Sequence, residues 1–171
     1  MNLHGLKEIS FKEYQKIVDT VKKVSTIASA NLDSFKDSKE HIYIKSHSAV
    51  SYVTKSGYMG GICKFNFASG EKVLQNHIAQ RVLQYGANHA QCYEGIVSNE
   101  YLKQGFKIVA RVEFNEKFAH PSFKDTFLKD KPDIVFLVKM KQVPTFKVYV
   151  FKTFDNAFKY MTTISELYKT V

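Results

Sequence analysis

The chain is poor in cysteine (two residues), proline (three) and arginine (two of 25 basic residues), and each scarcity excludes something. Cys63 and Cys92 lie far apart and outside any C-x-x-C pattern, so neither a disulfide framework nor a cysteine zinc site is expected. His47, His77, His89 and His120 lack metal-ligand spacing as well. No apolar run approaches membrane-spanning length, and the opening "MNLHGLKEISF" has no greasy core of a signal peptide. A cytoplasmic protein with no membrane partner is therefore expected. With no repeat, low-complexity tract or linker, one domain over 1–171 is expected: a helical part (1–40), a core (41–140) and a strand–helix extension (141–171).

The formal net charge is +9, and it is spread rather than gathered in a tail. Such a surface attracts an anionic partner, whether a phosphate-bearing cofactor or nucleic acid, without choosing between them. The shortage of arginine argues against base-specific reading of DNA, which favours that side chain.

Apolar spacing supplies the elements. Ser10 and Glu13 form a capping-box pattern ahead of a helix over 11–30, with Tyr14, Ile17, Val18, Val21, Val24 and Ala28 on one stripe. "HIYIKS" and "AVSYV" alternate as strands. Lys55-Ser56-Gly57 then turns the chain, with Gly57 at positive φ, into "YMGGICKF". That last strand is apolar on both faces from Gly61 to Phe65, which predicts a central position. "GEKVLQNHIAQRVLQYGA" reads as a helix with Leu74, Ile78, Val82 and Tyr85 inward, Gly86 as its stop, and His77 with Arg81 on a polar surface. There follow the strand "HAQCYE", a short helix "SNEYLKQG" capped by Ser98, and the strand "FKIVARVEF". The irregular segment 115–132 carries Phe118, Phe123 and Phe127. The strands "DIVFLVKM" and "FKVYVF" come next, and a helix with Ala157, Phe158, Met161, Ile164 and Tyr168 inward closes the chain. Antiparallel strands followed by a β-α-β-α-β half make this an α/β (α+β) fold with a mixed sheet, extended by a C-terminal strand and helix.

This order, together with Tyr101, Gly105 and Phe106 in "YLKQGF", resembles the GNAT acetyltransferase superfamily. A closer likeness, to GNAT-like proteins encoded by phages and mobile elements, lies in "RVEFNEKFAHP" with "KPDIVFLV" and in "TFDNAFKYMTTI". The resemblance covers about the last two thirds of the chain and implies acetyl-CoA as cofactor. The pantetheine arm would then pair with the backbone of Ile62, Cys63 and Lys64. Independently of any family, a diphosphate needs several backbone N–H groups aimed one way, which a loop entering a helix provides. Ser69, Gly70, Glu71 and Lys72 of "NFASGEK" are the candidates, with Lys72 also supplying an ammonium. Only one glycine of the family's phosphate-loop pattern is present, so an ordinary capped helix is the competing reading, and Glu71 would repel a phosphate.

The resemblance gives Tyr101 the task of protonating the leaving thiolate, and the alternative is a ring that packs the short helix on the sheet. Glu94, at the end of "HAQCYE", is the candidate general base, with Glu113 weighed beside it; an ion-paired or solvated acid is the alternative for both. Segment 115–132 reads as a lid or as a loop packing its own aromatics. Three functions compete. One is N-acetyl transfer from a coenzyme A thioester to an amine acceptor, a small molecule or a protein. The second is a catalytically inactive GNAT-like phage or mobile-element protein that binds and inhibits a host protein target. The third is a nucleic-acid-binding module, suggested by "KMKQVPTFKVYVFK".

Overall fold

The computed structural model describes residues 5–25, 32, 36–117, 131–141 and 147–169. The aromatic positions 118, 123 and 127 of the expected lid lie outside this set. The chain gathers into two compact units, one up to Ala87 and one from Asn88 onward.

The first unit begins with a strand the sequence did not announce, β1 (Lys7–Ile9), followed by helix α1 (Phe11–Val24). The Ser10 side chain accepts from the Glu13 N–H at 3.1 Å, which is half of the expected capping box. Strands β2 (His41–Lys45), β3 (Ala49–Thr54) and β4 (Met59–Lys64) form an antiparallel sheet in the order β1-β2-β3-β4. Helix α2 (Val73–Tyr85) ends on Gly86 at φ 66°, as its sequence predicts. The turn before β4 puts Gly57 at φ 96°, also as expected.

Strand β4 is an edge of this sheet, not a central strand. Its apolar character on both faces has a local cause. Val50 faces Cys63 and Tyr52 faces Gly60, so Gly61 and Ile62 together oppose Ser51 in a bulge. Gly61 adopts φ 63°, and a Cβ there would lie 2.3 Å from the Tyr14 hydroxyl and 2.6 Å from the Tyr52 ring. The glycines thus let tyrosines of α1 and β3 lie against the strand, and Tyr14 donates to the Gly61 carbonyl at 3.2 Å.

The second unit holds β5 (His89–Tyr93), helix α3 (Ile96–Lys103), β6 (Phe106–Val112), β7 (Ile134–Lys139), β8 (Tyr149–Phe151) and helix α4 (Phe154–Tyr168). Its sheet runs β5-β7-β6-β8, antiparallel except for the parallel pair β6–β8, which makes it mixed. Val135, Phe136, Leu137 and Val138 of the central strand β7 are fully buried, with Ala157, Met161 and Ile164 of α4 also buried. The mixed α/β class is as expected, but the ladders form two four-stranded sheets. Helix α3 starts at Ile96, two residues before the expected cap. Ser98 sits inside its first turn, where its hydroxyl accepts from the Gly95 N–H at 2.8 Å.

Candidate functional site

The loop from Phe65 to Lys72 is where a phosphate-binding mouth was expected, and its backbone donors divide into two groups. The N–H of Ser69 is taken by the Asn66 carbonyl at 3.3 Å, and that of Glu71 by the Ser69 hydroxyl at 3.1 Å. The N–H groups of Gly70, Lys72, Leu74 and Gln75 meet no acceptor among the described residues. Gly70 is exposed, and a Cβ added to it would touch nothing within 4 Å. Its glycine is thus demanded neither by the backbone nor by a neighbour in the protein. Lys72 is exposed at the N-cap of α2 and Lys64 donates to the Ser69 carbonyl at 3.4 Å. Ile62 is half-buried. Cys63 is buried, and burial pushes its thiol up to about 11, so it is no nucleophile near neutrality.

Glu71 does something the sequence did not suggest. Its side chain turns into the protein, where Ser46 donates to Oε2 at 3.0 Å, the Ser48 N–H at 3.1 Å and the Ser48 hydroxyl at closer range. Asn76 donates to Oε1 at 2.6 Å. Burial alone would raise its pKa, but the bonds from Ser48, Asn76 and Ser46 outweigh that and leave it below the usual carboxylate value. The expected repulsion of a phosphate is answered by this arrangement, since the charge is turned inward onto four donors.

The network continues through His77, which is fully buried rather than on a polar surface. Its Nε2 lies 2.9 Å from Ser46 Oγ and its Nδ1 lies 2.7 Å from Ser51 Oγ. An ionised Glu71 has no proton to give, so Ser46 donates to it. His77 must then donate from Nε2 to Ser46 and accept at Nδ1 from Ser51. Burial first, and then the Arg81 charge, push the His77 pKa down to about 3. Arg81 is itself fully buried, with Nη1 donating to the Tyr52 and Gly60 carbonyls at 3.0 and 3.1 Å. It ties α2 to the strands on either side of the β4 turn.

The inward face of α2 is therefore Val73, Asn76, His77, Ile78, Gln80 and Arg81, while Leu74, Val82 and Tyr85 of the expected stripe are half-buried. The missed signal was there: polar residues at 76, 77, 80 and 81 share one helical stripe, and "SHS" interrupts two apolar strands.

In the second unit, Tyr101 is 3% exposed and meets Phe106 edge to face, ring centroids 5.2 Å apart. Gly105 takes φ 90°, and a Cβ there would lie 3.1 Å from Lys139 Nζ. That ammonium donates to the Gln104 carbonyl at 2.5 Å and stands 5.6 Å above the Phe106 ring. Glu94 is held in a fork by Arg111, at 2.6 and 3.2 Å, and Arg111 also reaches Asp133 at 3.1 Å. An acid so engaged is an ion-pair anchor for the ends of β5 and β6. Glu113 is exposed.

No protein-family model matches the chain, and no curated protein matches it. Among solved structures it is similar to an IAA acetyltransferase from Bacillus cereus ATCC 14579, at 15% identity and a TM-score of 0.42, over 79% of this chain and 97% of that one. No helix among the described residues is long and apolar enough to cross a membrane.

Proposed function

We propose that the protein binds an acyl-coenzyme A thioester at the β4–α2 loop and transfers its acetyl group to an amine, as the resemblance to GNAT acetyltransferases implies. The observation that carries this reading is the set of amides at Gly70, Lys72, Leu74 and Gln75, which meet no acceptor among the described residues at the mouth of a 13-residue helix. These donors fit a diphosphate, and the exposed Lys72 adds a charge. Upstream, the unpaired side of edge strand β4 leaves the backbone of Ile62, Cys63 and Lys64 open to an extended pantetheine arm. In the transfer, the amine nitrogen bonds to the thioester carbonyl carbon and releases a proton to solvent while the C–S bond breaks and its electron pair leaves with sulfur. The departing thiolate takes up a proton, the task that the resemblance gives to Tyr101.

The test is thermal unfolding with and without coenzyme A. Saturating ligand is expected to raise Tm, and Gly70→Ala is expected to weaken that shift without lowering the unliganded Tm. A Tm unmoved by saturating coenzyme A overturns the proposal.

A second reading is favoured by β8, an edge strand on which Tyr149 and Val150 are 47% and 59% exposed, preceded by Val148 at 37%. Such a strand suits a protein-binding module without catalysis. It predicts that replacing Val150 by Lys abolishes a protein complex while coenzyme A binding is absent from the start.

A further inference from the structure

In the first unit, β1 and β2 are paired so that Lys7 stands directly opposite Lys45. Like charges opposed across a ladder destabilise it. The two lysines line a groove of about 600 Å³ together with Gly5, Leu6, Ser46, His47 and Phe65. No carboxylate is among these lining residues. Glu13 of α1 bonds Lys45 at 2.9 Å and also feels Lys7, whereas the Glu71 carboxylate beneath Ser46 is engaged by its own donors. One carboxylate thus answers two ammonium groups. The Lys45 stem is held as well as charged, with Nζ 5.5 Å above the Phe65 ring. The floor of the groove is fixed from beneath, because Ser46 is bound to Glu71 and His77 and the Phe65 N–H donates to the Ser48 carbonyl at 2.9 Å. The His47 N–H, at the rim, has no acceptor among the described residues.

We propose that this groove is a binding site for the phosphoryl group of a small soluble ligand, held between Lys7 and Lys45 with His47 at its rim. A carboxylate has two oxygens, too few for both ammonium groups and the His47 amide. A phosphoryl group has three oxygens, enough for both ammonium groups and the His47 amide, and its charge more than offsets the one net positive charge that Glu13 leaves. The site is separate from the proposed coenzyme A mouth at Gly70–Gln75 and does not depend on that reading.

The alternative explanation of Lys7 is that an outermost strand carries lysine to deter edge pairing, and one pair of proteins separates the two. Thermal unfolding and amide NMR are followed as inorganic pyrophosphate is titrated at constant ionic strength, with sodium acetate as control. In the parent protein, pyrophosphate gives a saturable rise in Tm and shifts the amides of Ser46 and His47, while acetate does neither. Lys7→Gln, which leaves the Lys45–Glu13 bond in place, is expected to weaken the pyrophosphate midpoint about tenfold or more. In anion-free buffer it is expected to raise Tm slightly by removing the like-charge pair. No saturable response in the parent, or equal responses in both proteins, overturns the proposal. Equal responses with shifts confined to Gly70–Gln75 would do so while leaving the coenzyme A reading intact.

Discussion

Replacing Glu71 by Ala removes the acceptor on which four donors converge: the Ser46 and Ser48 hydroxyls, the Ser48 N–H and the Asn76 amide. The site is 8% exposed, so water does not replace the carboxylate freely. A hydrogen bond to a charged group contributes about 1.5–3 kcal/mol, and a buried donor left without a partner costs about 1–3 kcal/mol. The serine hydroxyls can rotate to other acceptors, but the Ser48 N–H and the Asn76 amide cannot. The expected loss is about 3–5 kcal/mol, a large part of the stability of a domain. Glu71→Gln preserves shape and one acceptor oxygen, but it sets a donor against Asn76, whose own oxygen is already used by Gln80. Its cost is smaller, about 1–3 kcal/mol. The assay is urea unfolding near neutral pH, followed by far-ultraviolet circular dichroism, with m compared between variants. The sign of the pH dependence follows from the lowered pKa. Glu71 contributes fully above its unfolded value of 4.5, and that contribution is lost as pH falls through the folded value. The Ala variant lacks this part of the acid loss. A loss below about 1 kcal/mol in Glu71→Ala, or an ordering in which Gln costs more than Ala, would refute the view that this carboxylate organises the network.

Other outcomes are expected from the same geometry. Gly61→Ala must place a methyl group 2.3 Å from the Tyr14 hydroxyl at φ 63°, and is expected to cost at least about 2 kcal/mol in urea unfolding. His77, with its pKa near 3, stays neutral while the unfolded chain takes up a proton below 6.5, so its contribution to stability falls as pH drops between those values. The slope is up to about 1.4 kcal/mol per pH unit for this residue, and nitrogen shifts should show the Nε2–H tautomer throughout that range. Arg111→Met is expected to free Glu94 and loosen the ends of β5 and β6, read as faster amide exchange at Glu94 and Phe114, whose N–H groups bond to Asp133.

The order of helices and strands was legible because apolar residues recur at the period of each element, and Ser10, Gly57 and Gly86 mark boundaries with local chemistry. What was hidden depends on tertiary partners. Strand β1 is three residues long, too short for alternation to register, and exists by pairing with β2. The face that α2 buries is polar. A reading that seeks apolar stripes assigns Leu74 and Val82 to the core and leaves His77 and Arg81 outside. Those side chains can be buried because Ser46, Ser51 and the carbonyls of Tyr52 and Gly60 wait for them, and these partners lie 21 to 31 residues away in the chain. Of the four amides expected to be open, those of Gly70 and Lys72 meet no acceptor among the described residues. Two of the four expected, Ser69 and Glu71, are consumed within the loop, and Leu74 and Gln75 take their place.

The pattern Tyr101-x-x-x-Gly105-Phe106 also has a packing account. Helix α3 must stop before Phe106 can join β6, and Gly105 makes the turn at φ 90°. Lys139 binds the Gln104 carbonyl at the end of the helix, where a cation opposes the helix dipole favourably. Four residues back along the same face, the Tyr101 ring closes on Phe106. Nothing in that account requires a hydroxyl. Tyr101→Phe therefore isolates the chemistry, since it keeps the ring and its contact with Phe106. If Tyr101 only packs, the variant stays within about 1.5 kcal/mol of the parent and any transfer proceeds at an unchanged rate. If it protonates the thiolate, kcat falls about a hundredfold or more while coenzyme A still raises Tm by the same amount, and the alkaline limb of the pH profile disappears. Unchanged turnover in a folded Tyr101→Phe protein would remove Tyr101 from the reaction and leave the spacing as a rule of helix-to-strand packing.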